Sequence, residues 1–186
     1  MTLVGDADRL AGEGREEAAR ALFERAIASG VPAAVSESKA LRAAASSGHP
    51  DRAPEAGLEL AGLLGARDDA EGARAALQQV IDSGHVEYAP RAAHDLGLEL
   101  LYTVRDPQRA YEAWKYAAAS GHRDYGPRSA ARLGKLLYEY EGGDVELARR
   151  LWQSVVDSRH PVVAAEAAQN LRLTEPKTKG WLRRRS

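Results

Sequence analysis

The chain has 186 residues, with 26 basic and 27 acidic side chains and no cysteine, so its formal net charge is -1. The lack of cysteine excludes a disulfide framework, a thiolate metal site and a cysteine nucleophile. The sequence has neither a basic start followed by an apolar stretch nor an uncharged apolar run long enough to span a bilayer. We therefore expect a cytoplasmic protein.

The first third of the chain is irregular. Two Ser-Gly pairs, which end at Gly30 and Gly48, lie too close together in the sequence for a full helical hairpin between them. A single helix over residues 34–46 fits there instead. We predict that residues 1–48 form irregular N-terminal helices that are a degenerate repeat, with a weak trace of the repeat pattern at Ala19, Phe23 and Ala26.

A repeat occupies the rest of the chain. Stretches that start at Arg67, Arg105 and Gly143 align with one another, and a histidine marks the same point of each unit. The period between successive histidines is nearly constant and lengthens by one position at each step. These landmark histidines are His49, His85, His122 and His160. A fixed period of a few tens of residues indicates stacked structural units.

The sequence pattern of each unit predicts two helices. One helix carries small and bulky apolar residues at helical spacing: Ala110, Trp114 and Ala117 in one unit, and Ala148, Trp152 and Val155 in the next. The other carries a Leu-Gly pair and a further leucine: Leu96, Gly97 and Leu100, then Leu133, Gly134 and Leu137, and more loosely Leu60, Ala61 and Leu64. A glycine inside a helix costs about 1 kcal/mol against alanine, so its recurrence predicts close backbone contact with the partner helix.

Capping residues mark the helix ends. Asp106 followed by Pro107 is typical of an N-cap with proline at the first helical position. Gly84 and Gly121 are expected to end their helices, because a left-handed backbone is easiest at glycine.

These residues resemble the tetratricopeptide repeat. The order A-A-x-x-L-G-x-x-L, a turn with aspartate, and A-x-x-x-W-x-x-A over residues 92–117 matches that family's pattern of small and large positions. The resemblance covers residues 52–173, but the period is longer than that family's usual one, and Ser-Gly-His stands where the family often has proline. This variant resembles the alanine- and arginine-rich repeats of high-GC bacteria, of actinobacterial character.

The resemblance implies an all-α fold, a right-handed α-solenoid of antiparallel helix hairpins. Residues 49–176 would form the regular array, with residues 162–173 as a polar capping helix. Residues 177–186 hold five basic side chains and no acidic one, and we expect them to be a flexible basic tail.

The resemblance also implies a concave groove lined by the first helix of each unit. The implied positions are Arg91, His94, Leu98, Leu101 and Tyr102 in one unit, and Arg128, Ala131, Lys135, Tyr138 and Glu139 in the next. Arg91 and Arg128 would stack, whereas the corresponding Glu55, Leu58 and Gly62 are not basic. We expect partner binding at Arg91, His94, Tyr102, Arg128, Lys135 and Tyr138, since arginine and tyrosine suit carboxylates and acidic side chains. The alternative is that they are ordinary solvated positions.

The landmark histidines raise the question of a metal site. Packed helices lie about 8–10 Å apart, so neighbouring imidazoles would seldom share one ion at bond lengths of about 2 Å. We interpret them instead as turn residues just past a helix C-terminus, whose cationic form favours the helix dipole. No protease, hydrolase or phosphate-loop motif is present, and we expect no enzymatic activity, no cofactor and no metal.

The sequence thus predicts a module that binds a protein or peptide, with acidic segments favoured. Without its last ten residues the chain has 21 basic and 27 acidic groups, which argues against nucleic-acid binding by the body. Two alternatives stay open. One is a structural protein that assembles with copies of itself, and the other is a regulatory segment of a larger signalling or transcription protein. The oligomeric state is not predicted.

Overall fold

The computed structural model describes residues 33–140 and 143–175. Within these ranges the chain forms eight α-helices and no β-strand. The helices are α1 (Ala33–Ala45), α2 (Arg52–Gly65), α3 (Ala70–Asp82), α4 (Tyr88–Glu99), α5 (Pro107–Ala119), α6 (Tyr125–Glu139), α7 (Val145–Asp157) and α8 (Ala164–Leu173). A π-helical turn (Leu100–Val104) continues α4. The trace at Ala19, Phe23 and Ala26 and the basic tail 177–186 lie outside the described residues.

Neighbouring helices pack in sequence order, joined by short connections, which makes each pair an antiparallel hairpin. The first helices of successive units also contact each other, α2 with α4 and α4 with α6. In the described ranges, the second helices α3, α5 and α7 make no comparable contacts with one another. The first helices therefore lie on the inner side of an α-solenoid, as the sequence predicts.

An aspartate begins each second helix. The Asp106 carboxylate accepts the Arg109 N–H at 3.0 Å, with Pro107 in the first turn, as predicted. Asp69 and Asp144 accept the N–H groups of Gly72 and Leu147 at 2.9 and 2.8 Å. Gly84 and Gly121 are left-handed, at φ 64° and 73°, which confirms their predicted role in ending helices.

These aspartates show where the repeat length varies. The interval from a capping aspartate to the next landmark histidine is identical in all three units: Asp69 to His85, Asp106 to His122, and Asp144 to His160. The interval from a histidine to the next aspartate grows by one position per unit. In the middle unit the π-helical turn, which holds one residue more than an α-turn, takes up the added residue and ends where Arg105 adopts φ 63°. The variation thus falls entirely in the first helix and its following turn.

In two of the three units, a buried tryptophan of the second helix packs directly against a glycine of the first. Trp114 and Trp152 are each 1% exposed. The Trp152 indole N–H donates to the Ala131 carbonyl at 3.3 Å, and a Cβ added at Gly134 would lie 2.6 Å from that nitrogen. Trp114 and Gly97 repeat the arrangement, which confirms the close contact predicted from the glycines.

The core also fixes the register between units. Leu96 and Leu133 are both 4% exposed and belong to one apolar cluster, so they occupy equivalent places as predicted. In the preceding unit, Ala61 and Leu77 stand where later units have glycine and tryptophan, and both are buried. Where the second helix has leucine instead of tryptophan, the first helix thus has alanine instead of glycine.

Candidate functional site

The landmark histidines begin the next helix rather than end the last one. Nδ1 of His122 accepts the N–H groups of Asp124 and Tyr125, both at 3.1 Å. His85 does the same for the first turn of α4, at 3.2 and 3.3 Å. An acceptor nitrogen carries no proton. The predicted position in the turn is confirmed, but the interpretation as a cation that favours the preceding helix dipole is wrong.

The other imidazole nitrogen connects neighbouring units. Nε2 of His85 lies 3.2 Å from the Asp51 carboxylate, and Nε2 of His160 lies 2.7 Å from that of Asp124. Nε2 of His122 lies 3.4 Å from the Glu87 carboxylate but makes no hydrogen bond with any described residue. We call this row of histidines and carboxylates the histidine edge. Two of its pairs, His85 with Asp51 and His160 with Asp124, join a unit to the one before it by a side-chain hydrogen bond at the start of a first helix.

Sequence reasoning missed the acidic partners of the histidine edge. An acid stands two residues after three of the histidines, at Asp51, Glu87 and Asp124, and Val162 replaces it after the last. This H-x-[DE] spacing was the available signal. Burial alone would raise the pKa of Asp124, but hydrogen bonds from His160 and Arg128 outweigh it and lower that pKa. No group of three or more metal-ligating side chains forms in the described part of the chain.

Most of the predicted groove residues are accessible. Arg91 on α4 is half-exposed, and its Nε lies 3.9 Å from the Asp95 carboxylate. Arg128 on α6 is bonded to Asp124 at 3.0 Å. Tyr102 is 49% exposed in the π-helical turn. Arg91 and Arg128 therefore occupy corresponding helix positions, and each has an acidic neighbour.

The end of α6 supplies two more of the predicted residues. The Lys135 ammonium lies 3.7 Å from the Glu139 carboxylate on the exposed side of the helix. Tyr138 is 46% exposed and sets its ring edge-on to Trp152, with centroids 5.8 Å apart. Lys135 and Tyr138 thus offer a cation and an aromatic face to solvent beside the core.

His94 differs from the other predicted contacts because it is buried, with 8% exposed. Its Nδ1 lies 2.9 Å from the Ser129 hydroxyl on α6, and its backbone carbonyl accepts the Trp114 indole N–H at 3.1 Å. Burial lowers the pKa of His94 to about 4, and the nearby charges of Arg132 and Arg128 add to the effect. The structure places His94 between α4 and α6 as a neutral link, with little surface to offer a partner.

Arg132 is the groove residue that the sequence reasoning missed. It is exposed on α6 and lies one helical turn after Arg128 and one before Lys135, so the three cations share a face. We call Arg128, Arg132 and Lys135 the basic row. The matching positions on α2 hold exposed Glu55 and Glu59. The i, i+4, i+7 spacing of the three cations could have revealed the row.

A recess opens between α2 and α4, away from the basic row. Its volume is ≈ 470 Å³, and its lining includes Leu58, Ala61, Gly62, Leu77, Arg91 and Asp95. Gly62 is exposed, and a Cβ added there would meet nothing within 4 Å. Burial raises the pKa of Asp95, and the Arg91 charge opposes the rise. The recess thus has an apolar floor and a carboxylate at its rim.

Comparisons with known proteins bear on the fold. No protein-family model matches the sequence, and a search of curated proteins finds no match. The crystal structure of BtubC (BKLC) from P. vanneervenii is similar over 90% of this chain and 77% of its own, with a TM-score of 0.58 and 18% identity. MamA is similar over 88% of this chain and 96% of its own, with a TM-score of 0.51 and 16% identity. The likeness is one of fold.

That likeness supports an all-helical α-solenoid fold for this chain. Across residues 33–140 and 143–175, no helix combines the length and the apolar character needed to cross a lipid bilayer.

Proposed function

We propose that this chain is a non-enzymatic interaction module whose inner face binds an extended segment of a protein partner. The observation that carries the proposal is the basic row, which presents three cations on one accessible face of α6. The α-solenoid fold and its helical-repeat structural neighbours support a scaffold role. The expectations of a cytoplasmic location and a bacterial origin stay predictions.

The basic row suits a carboxylate-bearing partner. Arginine offers a planar fork that can hold a carboxylate with two hydrogen bonds. Arg128 is held toward Asp124 at 3.0 Å, whereas Arg132 is exposed, so Arg132 would be the main contact. Tyr138 is half-exposed at the end of the same helix and would supply an aromatic face. Behind α6, Trp152 is buried, and its indole N–H donates to the Ala131 carbonyl of that helix.

Affinity capture from the native cell extract tests the proposal. The variant Arg132→Glu with Lys135→Glu reverses two charges of the basic row. Its matched control, Arg109→Glu with Arg150→Glu, makes the same change at exposed positions on α5 and α7. We expect the unchanged chain and the control to retain a protein partner that the basic-row variant loses. Recovery of no partner, or equal recovery by all three chains, would contradict the proposal.

Self-assembly is a second candidate, favoured by the apolar surface near the last described helix. Val162 is 60% exposed and Leu173 69% exposed, and such residues can join copies of a repeat array end to end. Light scattering separates the two candidates. A particle whose mass stays that of one chain at every protein concentration would exclude self-assembly, and a mass that rises with concentration would support it.

A further inference from the structure

Gly62 is a helix-interior glycine with no packing reason. Glycine there costs about 1 kcal/mol against alanine. Two other helix-interior glycines make room for a neighbour: a Cβ on Gly57 would lie 2.5 Å from a Val80 methyl, and one on Gly134 would meet Trp152. A Cβ on Gly62 would meet nothing within 4 Å. A residue that breaks a local preference without a packing gain points to a functional position.

The corresponding residues of the next units show what Gly62 keeps open. Leu98 occupies this position on α4, and Lys135 occupies it on α6. Because Gly62 lines the recess, a long side chain at residue 62 would take up part of this space. The volume of ≈ 470 Å³ is many times that of one water molecule, about 30 Å³. The recess is therefore large enough for a long side chain.

The lining of the recess selects the chemistry of that side chain. Its lining includes the apolar Leu58, Ala61 and Leu77. The charged lining residues are three acids, Asp68, Asp95 and Glu99, and one base, Arg91. The Asp95 carboxylate is half-exposed and lies 3.9 Å from the Arg91 guanidinium, which is too long for a hydrogen bond. Its oxygens can therefore accept hydrogen bonds from a partner. Burial already raises the pKa of Asp95, and a cation beside it would stabilise the charged form.

We propose that this recess receives a lysine or arginine side chain of the partner segment, with its methylene stem over the apolar floor and its cationic end on Asp95. Long basic side chains combine these two properties. The inference rests on the proposed function. It adds that the partner segment carries a basic residue at the recess and acidic residues against the basic row. Exposed Glu55 and Glu59 on α2 favour the same order.

The distance between the two surfaces sets the spacing in the partner. Packed helices lie about 8–10 Å apart, and an extended chain advances about 3.3 Å per residue. The recess lies between α2 and α4, and the basic row lies on α6, one to two helix spacings away. The partner's basic residue should therefore stand about two to six positions from its acidic residues.

Fluorescence anisotropy with synthetic peptides tests the inference. The probe is a labelled Gly/Ser peptide with one arginine and two glutamates about four positions away, prepared in both chain directions. Two matched peptides carry glutamine or leucine in place of the arginine. The protein variants are Gly62→Leu, which fills the recess, and Asp95→Asn, which removes its charge. Glu146→Gln, at an exposed position on α7, is the matched control for loss of an acid.

We expect the arginine peptide to bind the unchanged chain and the Glu146→Gln control, and to bind Gly62→Leu and Asp95→Asn at least tenfold more weakly. The glutamine and leucine peptides should lose a similar factor. Gly62→Leu should also raise the urea concentration at the unfolding midpoint, since leucine is a better helix former than glycine. Weaker binding by a more stable chain excludes unfolding as the cause.

Four results would overturn the recess assignment: equal binding by Gly62→Leu, equal binding by Asp95→Asn, equal binding of the glutamine or leucine peptide, or no saturable binding of either arginine peptide. The capture experiment separates this inference from the proposed function. If the partner is lost with the basic-row variant but kept with Gly62→Leu, the function stands and the recess assignment fails. If both variants keep the partner, both proposals fail.

Discussion

The contact between Gly134 and Trp152 predicts that the ordinary benefit of replacing glycine by alanine in a helix is reversed here. Alanine should gain about 1 kcal/mol from helix propensity. Its Cβ, however, would lie 2.6 Å from the indole nitrogen and 3.0 Å from Cε2 of Trp152. Such overpacking costs about 1–3 kcal/mol. Displacing the indole also weakens its hydrogen bond to Ala131, worth about 1 kcal/mol. We expect Gly134→Ala to destabilise the chain by about 2 kcal/mol.

Urea unfolding followed by circular dichroism measures this change, and Gly62→Ala is its control. Gly62 is also inside a helix, but a Cβ there meets no neighbour, so Gly62→Ala should raise the free energy of unfolding by about 1 kcal/mol. The two substitutions are chemically identical and differ in sign only because of the tryptophan. If Gly134→Ala stabilised the chain as Gly62→Ala does, the packing argument would be refuted.

A double-mutant cycle isolates the contact itself. Trp152→Leu combined with Gly134→Ala recreates the pairing of Ala61 with Leu77 in the earlier unit. In the Trp152→Leu background, Gly134→Ala should stabilise the chain by about 1 kcal/mol, which gives a coupling of about 3 kcal/mol. An effect of the same sign in both backgrounds would show that the indole is not what excludes a Cβ.

Three further predictions follow from the burial and the hydrogen bonds. The pKa of His94 is lowered to about 4 from 6.5. The stability that the neutral His94 gives to the folded chain is therefore complete above pH 6.5 and is lost as the pH falls to about 4. The free energy of unfolding should fall by about 3 kcal/mol over this range. The urea midpoint of the His94→Gln variant should fall less steeply with pH than that of the unchanged chain. Equal slopes for the two chains would contradict the burial argument. His160→Ala removes the 2.7 Å hydrogen bond to Asp124, so amide hydrogen exchange should become faster in α8 by more than in α3. An equal change in both helices would show that the histidine edge does not join neighbouring units. Gly57→Ala should lower the urea midpoint, because its Cβ would lie 2.5 Å from a Val80 methyl; a raised midpoint would show that Val80 moves aside.

The sequence predicts the backbone of the array well because helix packing requires similar residues at regular intervals along the chain. The histidine spacing gives the unit length, and Asp106 with Pro107 gives a helix start that the structure confirms. The recurrence of Gly97 and Gly134 predicts a close helix contact, although the tryptophan that makes the contact comes from the following helix. Each of these features is local or repeats at a fixed interval.

The candidate site is less predictable because it depends on the rotation of each helix and on contacts between units. His94 and Arg91 are one helical turn apart on one helix, yet His94 is buried against α6 and Arg91 is exposed. The histidine edge pairs side chains from consecutive units, such as His160 with Asp124, and no single unit reveals such a pair. The π-helical turn is a local adjustment to one added residue, which the sequence pattern does not distinguish from a longer loop.

The constant interval before each landmark histidine and the growing interval after it imply that the two ends of the stacked hairpins tolerate change differently. At one end the imidazole must reach both a backbone turn and a carboxylate of the preceding unit, so a residue added there would break two bonds at once. At the other end an added residue needs only a wider turn. Duplication of a unit would preserve the first junction without adjustment, and later insertions would accumulate at the opposite side, beside Tyr102 and Tyr138. Related arrays can therefore keep one fixed joint while they diversify the surface next to the groove.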